Sequence, residues 1–205
     1  KSPYGDEYLV DETRSSTCEI VAELLIEKAP LSKTNANYLL AGILTDTIRF
    51  MIENTKPETL EVAAKLMRFG ANINELSRHF FNGTYDSFKI RTYLSNHVEY
   101  QGQLATLTIT KAMRETLNIS ERVAKSYYTV MSGVSEFGVY AVFVETDEGH
   151  YIGSLRSQEV TINTVCEKYH GGGHRLACGV NYITEAQLPA IKEDLRQAII
   201  DYQKL

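Results

Sequence analysis

The run Gly171-Gly172-Gly173-His174, followed at once by Ala177-Cys178-Gly179, is the densest grouping of chemistry-bearing positions in this 205-residue chain. Three consecutive glycines lose much conformational entropy on folding, so such a run implies unusual dihedrals or close approach of a ligand to the backbone. Amides exposed by a loop of this kind form an anion-binding concavity. His174 at its end can donate a hydrogen bond or a charge to the same group. The competing reading is a flexible turn with an incidental surface histidine. A second candidate is Gly153-Ser154-Leu155-Arg156-Ser157, at the end of a strand-like run. An arginine between serines at a strand terminus suits bidentate phosphate recognition, although a plain surface arginine would look the same. Asn163 follows closely and is expected to cap the next helix or to reach a ligand.

The third candidate is Asp46, in Ala41-Gly42-Ile43-Leu44-Thr45-Asp46-Thr47-Ile48-Arg49-Phe50. A carboxylate at the end of a nearly uncharged helix needs a compensating cation. A metal ion is one such cation, and an ion pair with Arg49 is the structural alternative. A divalent metal would need further carboxylates or histidines. Asp6 and Asp11 are the candidates nearby, and no HExxH or paired-carboxylate cluster is present. His79, His97 and His150 have no ligand spacing, and no GxSxG elbow or Ser-His-Asp order supports serine catalysis. Tyr127 and Tyr128 are expected at helix core and edge.

These residues need elements to hold them. Apolar positions Ile20, Val21, Leu24 and Leu25 predict an amphipathic helix over 15–29, with Ser15, Ser16 or Thr17 as cap. Further helices are predicted over 34–43, from Pro57 to the stop at Gly70, over 73–81 and over 85–96. After that the texture changes. Strands are predicted at 98–100, 104–109, 139–145, 150–155 and 177–181, with turns at Gln101-Gly102 and Glu148-Gly149. Helices are predicted at 111–117, 120–128, 161–169 and 185–202.

Composition narrows the partners. Hydrophobic residues are 43% and charged residues 23%, an ordinary globular balance, and no apolar run reaches membrane-spanning length. The net charge is −5, and residues 1–85 carry 9 basic against 12 acidic side chains, so neither half is a basic module. A nucleic-acid ligand would then be short, or held by a few pointed contacts, because phosphate neutralisation supplies most of the affinity for long duplexes. Cys18, Cys166 and Cys178, an odd number without CxxC spacing, argue against a disulfide framework and a structural zinc site, and for a reducing cytoplasm.

Taken in order, Gly5-Asp6, Val10-Asp11, Ser15-Ser16-Thr17-Cys18-Glu19 and Ala41-Gly42-Ile43 through Asp46-Thr47 and Arg49-Phe50 resemble the region just downstream of the Asp-His-His motif of DHH-family phosphoesterases. Ser154-Leu155-Arg156-Ser157, Ile162-Asn163 and the glycine–histidine run resemble the associated substrate-binding domain, in the NrnA form (nano-RNase and pAp phosphatase). The resemblance covers nearly the whole chain. It implies an α/β fold, in which residues 1–84 are the helical C-terminal part of a DHH domain and 85–97 a linker helix. Residues 98–205 would form a small α+β substrate-binding domain with a mixed sheet. It also implies hydrolysis of short oligoribonucleotides and 3′,5′-bisphosphate nucleotides with two Mn²⁺ ions, Mg²⁺ being the alternative metal. Asp46 would be a catalytic metal ligand, and Arg156, Ser157, Asn163, Gly172, Gly173 and His174 would bind substrate. Cyclic-di-AMP phosphodiesterase, RecJ-like exonuclease and non-enzymatic nucleotide-binding module are the rival functions. A cytoplasmic protein with short RNA or nucleotide partners, no membrane, no long duplex DNA and room for a homodimer is expected. The Asp-His-His triplet, the HxxxDxD motif and an initiator Met are absent, so the chain is expected to be a fragment, inactive by itself.

Overall fold

A computed structural model describes residues 9–204; Gly5 and Asp6, which enter the resemblance, lie outside the described residues. The chain divides into two compact units, one ending at Gly83 and one beginning at Thr84.

The first unit is helical: α1 (Thr17–Ile26), α2 (Lys33–Asp46), α3 (Pro57–Arg68) and α4 (Ile73–Phe81). Ser16 caps α1 by accepting from the Glu19 amide, as the sequence predicts. Pro57 opens α3, and Gly70, at φ +94°, ends it. Ala22, Ala36, Leu40, Ile43, Leu44, Val62 and Leu66 form the core. Helix α1 crosses α2 so closely that a Cβ on Gly42 would overlap the Cys18 sulfur. Glu19 is fully buried, accepting from the Ser15 amide at 2.9 Å and the Thr59 hydroxyl at 3.0 Å, which ties α1 to the start of α3.

The second unit begins with α5 (Tyr85–Ser95) and is built on six strands: β1 (Glu99–Gln101), β2 (Leu104–Ile109), β3 (Val139–Glu145), β4 (Tyr151–Ser157), β5 (Gly172–His174) and β6 (Ala177–Ile183). Their order is β1-β2-β3-β4-β6-β5. Only the β2–β3 pairing is parallel, so the sheet is mixed, as expected. The hairpin turn at Gly102 and Gln103 has φ of 56° and 70°, the positive pair that a tight two-residue turn requires. Helices α6 (Lys111–Leu117) and α7 (Glu121–Ser126), α7 running on into a 3₁₀ turn at Tyr127–Val130, cover one face. There Ala105, Leu107, Ile109, Val142 and Val144 pack on Leu94, Ala124, Tyr127 and Met131. The alternate residues Leu104, Val139, Ala141, Phe143, Leu155, Cys178 and Val180 point the other way, onto α8 (Asn163–Lys168) and α9 (Leu188–Tyr202). That alternation is the period-2 pattern of a sheet buried on both sides.

Two expectations change here. The glycine run is not a free loop: Gly172–His174 pair antiparallel with β6 as an edge strand. Cys166 on α8 and Cys178 on β6, both buried, meet as a disulfide, so the expectation of unpaired thiols holds only for Cys18. No described helix is long and apolar enough to cross a membrane.

Candidate functional site

Strand register assembles the distal motifs on one sheet face. Arg156 pairs with Ala177, and Ala177 with His174; one step along, Ser154 pairs with Gly179, and Gly179 with Gly172. Paired residues share a face, so Arg156, Ser154, Gly172, Gly179, Ala177 and His174 lie together on the side that carries α7. The floor between Arg156 and His174 is made of Ala177, Gly179 and Gly172, residues with almost no side chain. It is therefore an open depression.

The three glycines of the run have different reasons to be glycine. A Cβ on Gly171 would collide with the Gly179 carbonyl oxygen, and one on Gly173 would lie 2.6 Å from the Ala177 oxygen. Gly173 also has φ +142°, a conformation side chains avoid. Those two are demanded by packing. Gly172 is exposed and a Cβ on it would meet nothing within 4 Å, so packing does not require a glycine there. His174 is exposed beside it.

Arg156 is held from two sides. Its guanidinium stands 4.5 Å over the Tyr128 ring, and its Nη1 donates to the Leu155 carbonyl at 2.8 Å. Ser157 does not join it: on the opposite face, its hydroxyl donates to the Gly138 carbonyl at 3.3 Å. Ser154 shares the arginine's face instead. Asn163 does not cap α8, because the cap position is Ile162 and Asn163 is already helical; its amide donates to Glu167 Oε1 at 3.1 Å.

Two residues here escape sequence reading. Tyr128 serves as the aromatic rest for Arg156, beyond its expected place at a helix edge. Lys125, on α7, hangs over the floor, its Nζ 3.8 Å from where a Cβ on Gly179 would be. Burial, with the Arg156 charge as a second cause, pushes the Lys125 ammonium below the usual lysine range. Among the described residues neither Lys125, Arg156 nor His174 has a carboxylate partner. Lys125 lies on α7 and Tyr128 in the 3₁₀ turn that follows it, and no motif marks either. A concavity of about 540 Å³ in the same unit is rimmed by Glu121, Asp147, Glu148 and His150, an acidic setting unsuited to phosphate.

Asp46 lies in the other unit, at the last turn of α2, and is exposed. Its surroundings are unusual. Ile48, Arg49 and Phe50 all have left-handed φ, of 47°, 61° and 65°. Each such non-glycine residue costs about 1–3 kcal/mol, strain that concentrates at functional sites. Thr47 fastens the corner, donating to the Ile43 carbonyl at 2.6 Å and accepting from the Phe50 amide at 2.9 Å. Arg49 forms no ion pair with Asp46; its guanidinium stands 4.8 Å over Phe81. Among the described residues no three His, Cys, Asp or Glu side chains gather as a metal site. Asp11 accepts from Thr13 and pairs with Arg14. One exposed carboxylate does not fit two divalent cations, which each want four or more donors.

Residues 104–201 match the family described as DHHA1 domain. The chain is similar to proteins named NrnA, bifunctional oligoribonuclease and PAP phosphatase. The probable one of Streptococcus mutans is 29% identical over 96% of this chain and 64% of the relative. That of Bacillus subtilis is 28% identical over 95% and 64%. The chain thus spans less than two thirds of these relatives. An exopolyphosphatase-related protein from Bacteroides fragilis shares the fold, with a TM-score of 0.81 at 19% identity over 96% of this chain and 59% of that one. The resemblance drawn from the motifs, and the fold expected from it, are borne out.

Proposed function

We propose that the chain is part of a phosphoesterase that hydrolyses short oligoribonucleotides and 3′,5′-bisphosphate nucleotides such as pAp to nucleoside monophosphates. One observation carries this reading: Arg156, braced by Tyr128, and His174 share one sheet face on either side of small residues, and among the described residues no carboxylate pairs with either. Such a face attracts phosphate. The acidic balance of the whole chain disfavours a long duplex.

In this reading Arg156 forms charge-assisted, fork-like hydrogen bonds to phosphate oxygens, and His174 donates a further one. The Gly172 backbone, unscreened by any side chain, lets the phosphate approach closely. Asp46 is proposed as a catalytic metal ligand, supported by the strained corner that displays it. Manganese is the proposed metal and magnesium its alternative; the remaining donors would come from the rest of a longer protein. The proposed setting is the cytoplasm, where RNA turnover generates such substrates.

The test is kinetic. The full-length protein with Mn²⁺ should hydrolyse pAp and pApA. Arg156→Ala should lower kcat/KM by roughly 10–100-fold, the worth of a charged hydrogen bond. Unchanged kinetics in both Arg156→Ala and His174→Ala would refute the assignment.

A further inference from the structure

We propose that Lys125 is a second phosphate-gripping cation, acting with Arg156 so that this face prefers a terminal phosphate monoester to an internal diester. The inference rests on the phosphate-binding role just proposed for the face.

The Lys125 ammonium overhangs the centre of the floor, close to Gly179, which lies between Gly172 and Ser154 in the sheet. Neither Gly179 nor Gly172 has a side chain to occupy the space beneath it. Helix α7, which carries the lysine, is anchored by Ala124, fully buried, and by Tyr127 in the turn that follows. It is half-buried, and among the described residues no acid neutralises it and no side-chain hydrogen bond engages it. A second cation, Arg156, faces it. Two neighbouring cations partly removed from water repel each other, an arrangement that an anion between them relieves. The depressed proton affinity of Lys125 has the same origin, burial first and Arg156 second. A terminal phosphate is close to a dianion at neutral pH, whereas a diester carries a single charge. Two cations around one small depression therefore favour the monoester more than the diester.

Lysine acetylation of the 205-residue chain, read by mass spectrometry, tests this directly. Saturating pAp should protect Lys125 and leave the solvent-facing Lys89 and Lys204 unchanged; adenosine should protect none. Lys125→Met should weaken pAp binding roughly 10-fold at an unchanged melting temperature. Lys125→Arg should retain most of the affinity, and binding of the diester ApA should change little in either variant. Bound pAp with Lys125 still freely acetylated would overturn the inference while leaving the face intact as a phosphate site. Equal losses for pAp and ApA in Lys125→Met would overturn the monoester preference. Failure of pAp to bind the unaltered chain at all would remove both the phosphate-site reading and this inference.

Discussion

Residue by residue, glycine identity separates structure from ligand contact. Gly173→Ala must place a Cβ 2.6 Å from the Ala177 oxygen at a φ that side chains avoid. It should cost about 2 kcal/mol or more and lower the melting temperature by several degrees. Gly172→Ala meets open space. It should melt like the parent and bind pAp more weakly; a matched loss of stability in both variants would show that the run serves folding alone. The glycine–histidine run, Arg156 and Asp46 were visible because their types and spacing are rare. Tyr128 and Lys125 were not, since their relation to Arg156 arises only when α7 packs across the sheet. Ser157 misled for a related reason: neighbours on a strand point to opposite faces.

Elements were mostly legible where a period was long enough to read. Strands β2 and β3, helix α6 and the four helices of the first unit follow from alternation, apolar stripes and caps. Strand β5 did not, because glycines carry no period and its pairing with β6 is set by tertiary contact. Helix α9, expected over 185–202, buries the stripe Leu188, Ile191, Leu195 and Ile199. Leu195→Ala should cost about 2–5 kcal/mol by thermal or urea unfolding. Helices α8 and α9 are also joined by polar groups. Asp194 accepts from Lys168 Nζ and, at 2.7 Å, from the Tyr169 hydroxyl. Those bonds hold the Asp194 carboxyl below the usual range against the opposing effect of burial. Burial first, then the Asp194 bond and charge, pushes Tyr169 up to about 12. A lowered carboxyl contributes stability that is complete above the unfolded value near ~3.9 and is lost as pH falls through the folded one. A raised phenol contributes stability that is complete below ~10 and is lost as pH climbs toward its folded value. Melting temperature against pH should therefore fall at both ends. Asp194→Asn should flatten the acid limb and Tyr169→Phe the alkaline limb; unaltered curves would show the network to be energetically idle.

At the scale of the molecule, one unit carries the cationic face and the other carries Asp46, and the described residues do not complete a metal site. The account therefore expects the 205-residue chain to recognise nucleotide phosphate without turning it over. Incubated with Mn²⁺ and pApA, it should release no mononucleotide above background by chromatography, whereas turnover would show that its own residues suffice. The central claim, that the Arg156–His174 face of the second unit is a phosphate site, is most directly tested by calorimetric titration of this chain with pAp. The account predicts saturable binding at one site, weakened roughly 10-fold or more in Arg156→Ala and absent for adenosine. Binding that is undetectable, or equally strong in Arg156→Ala, would contradict it.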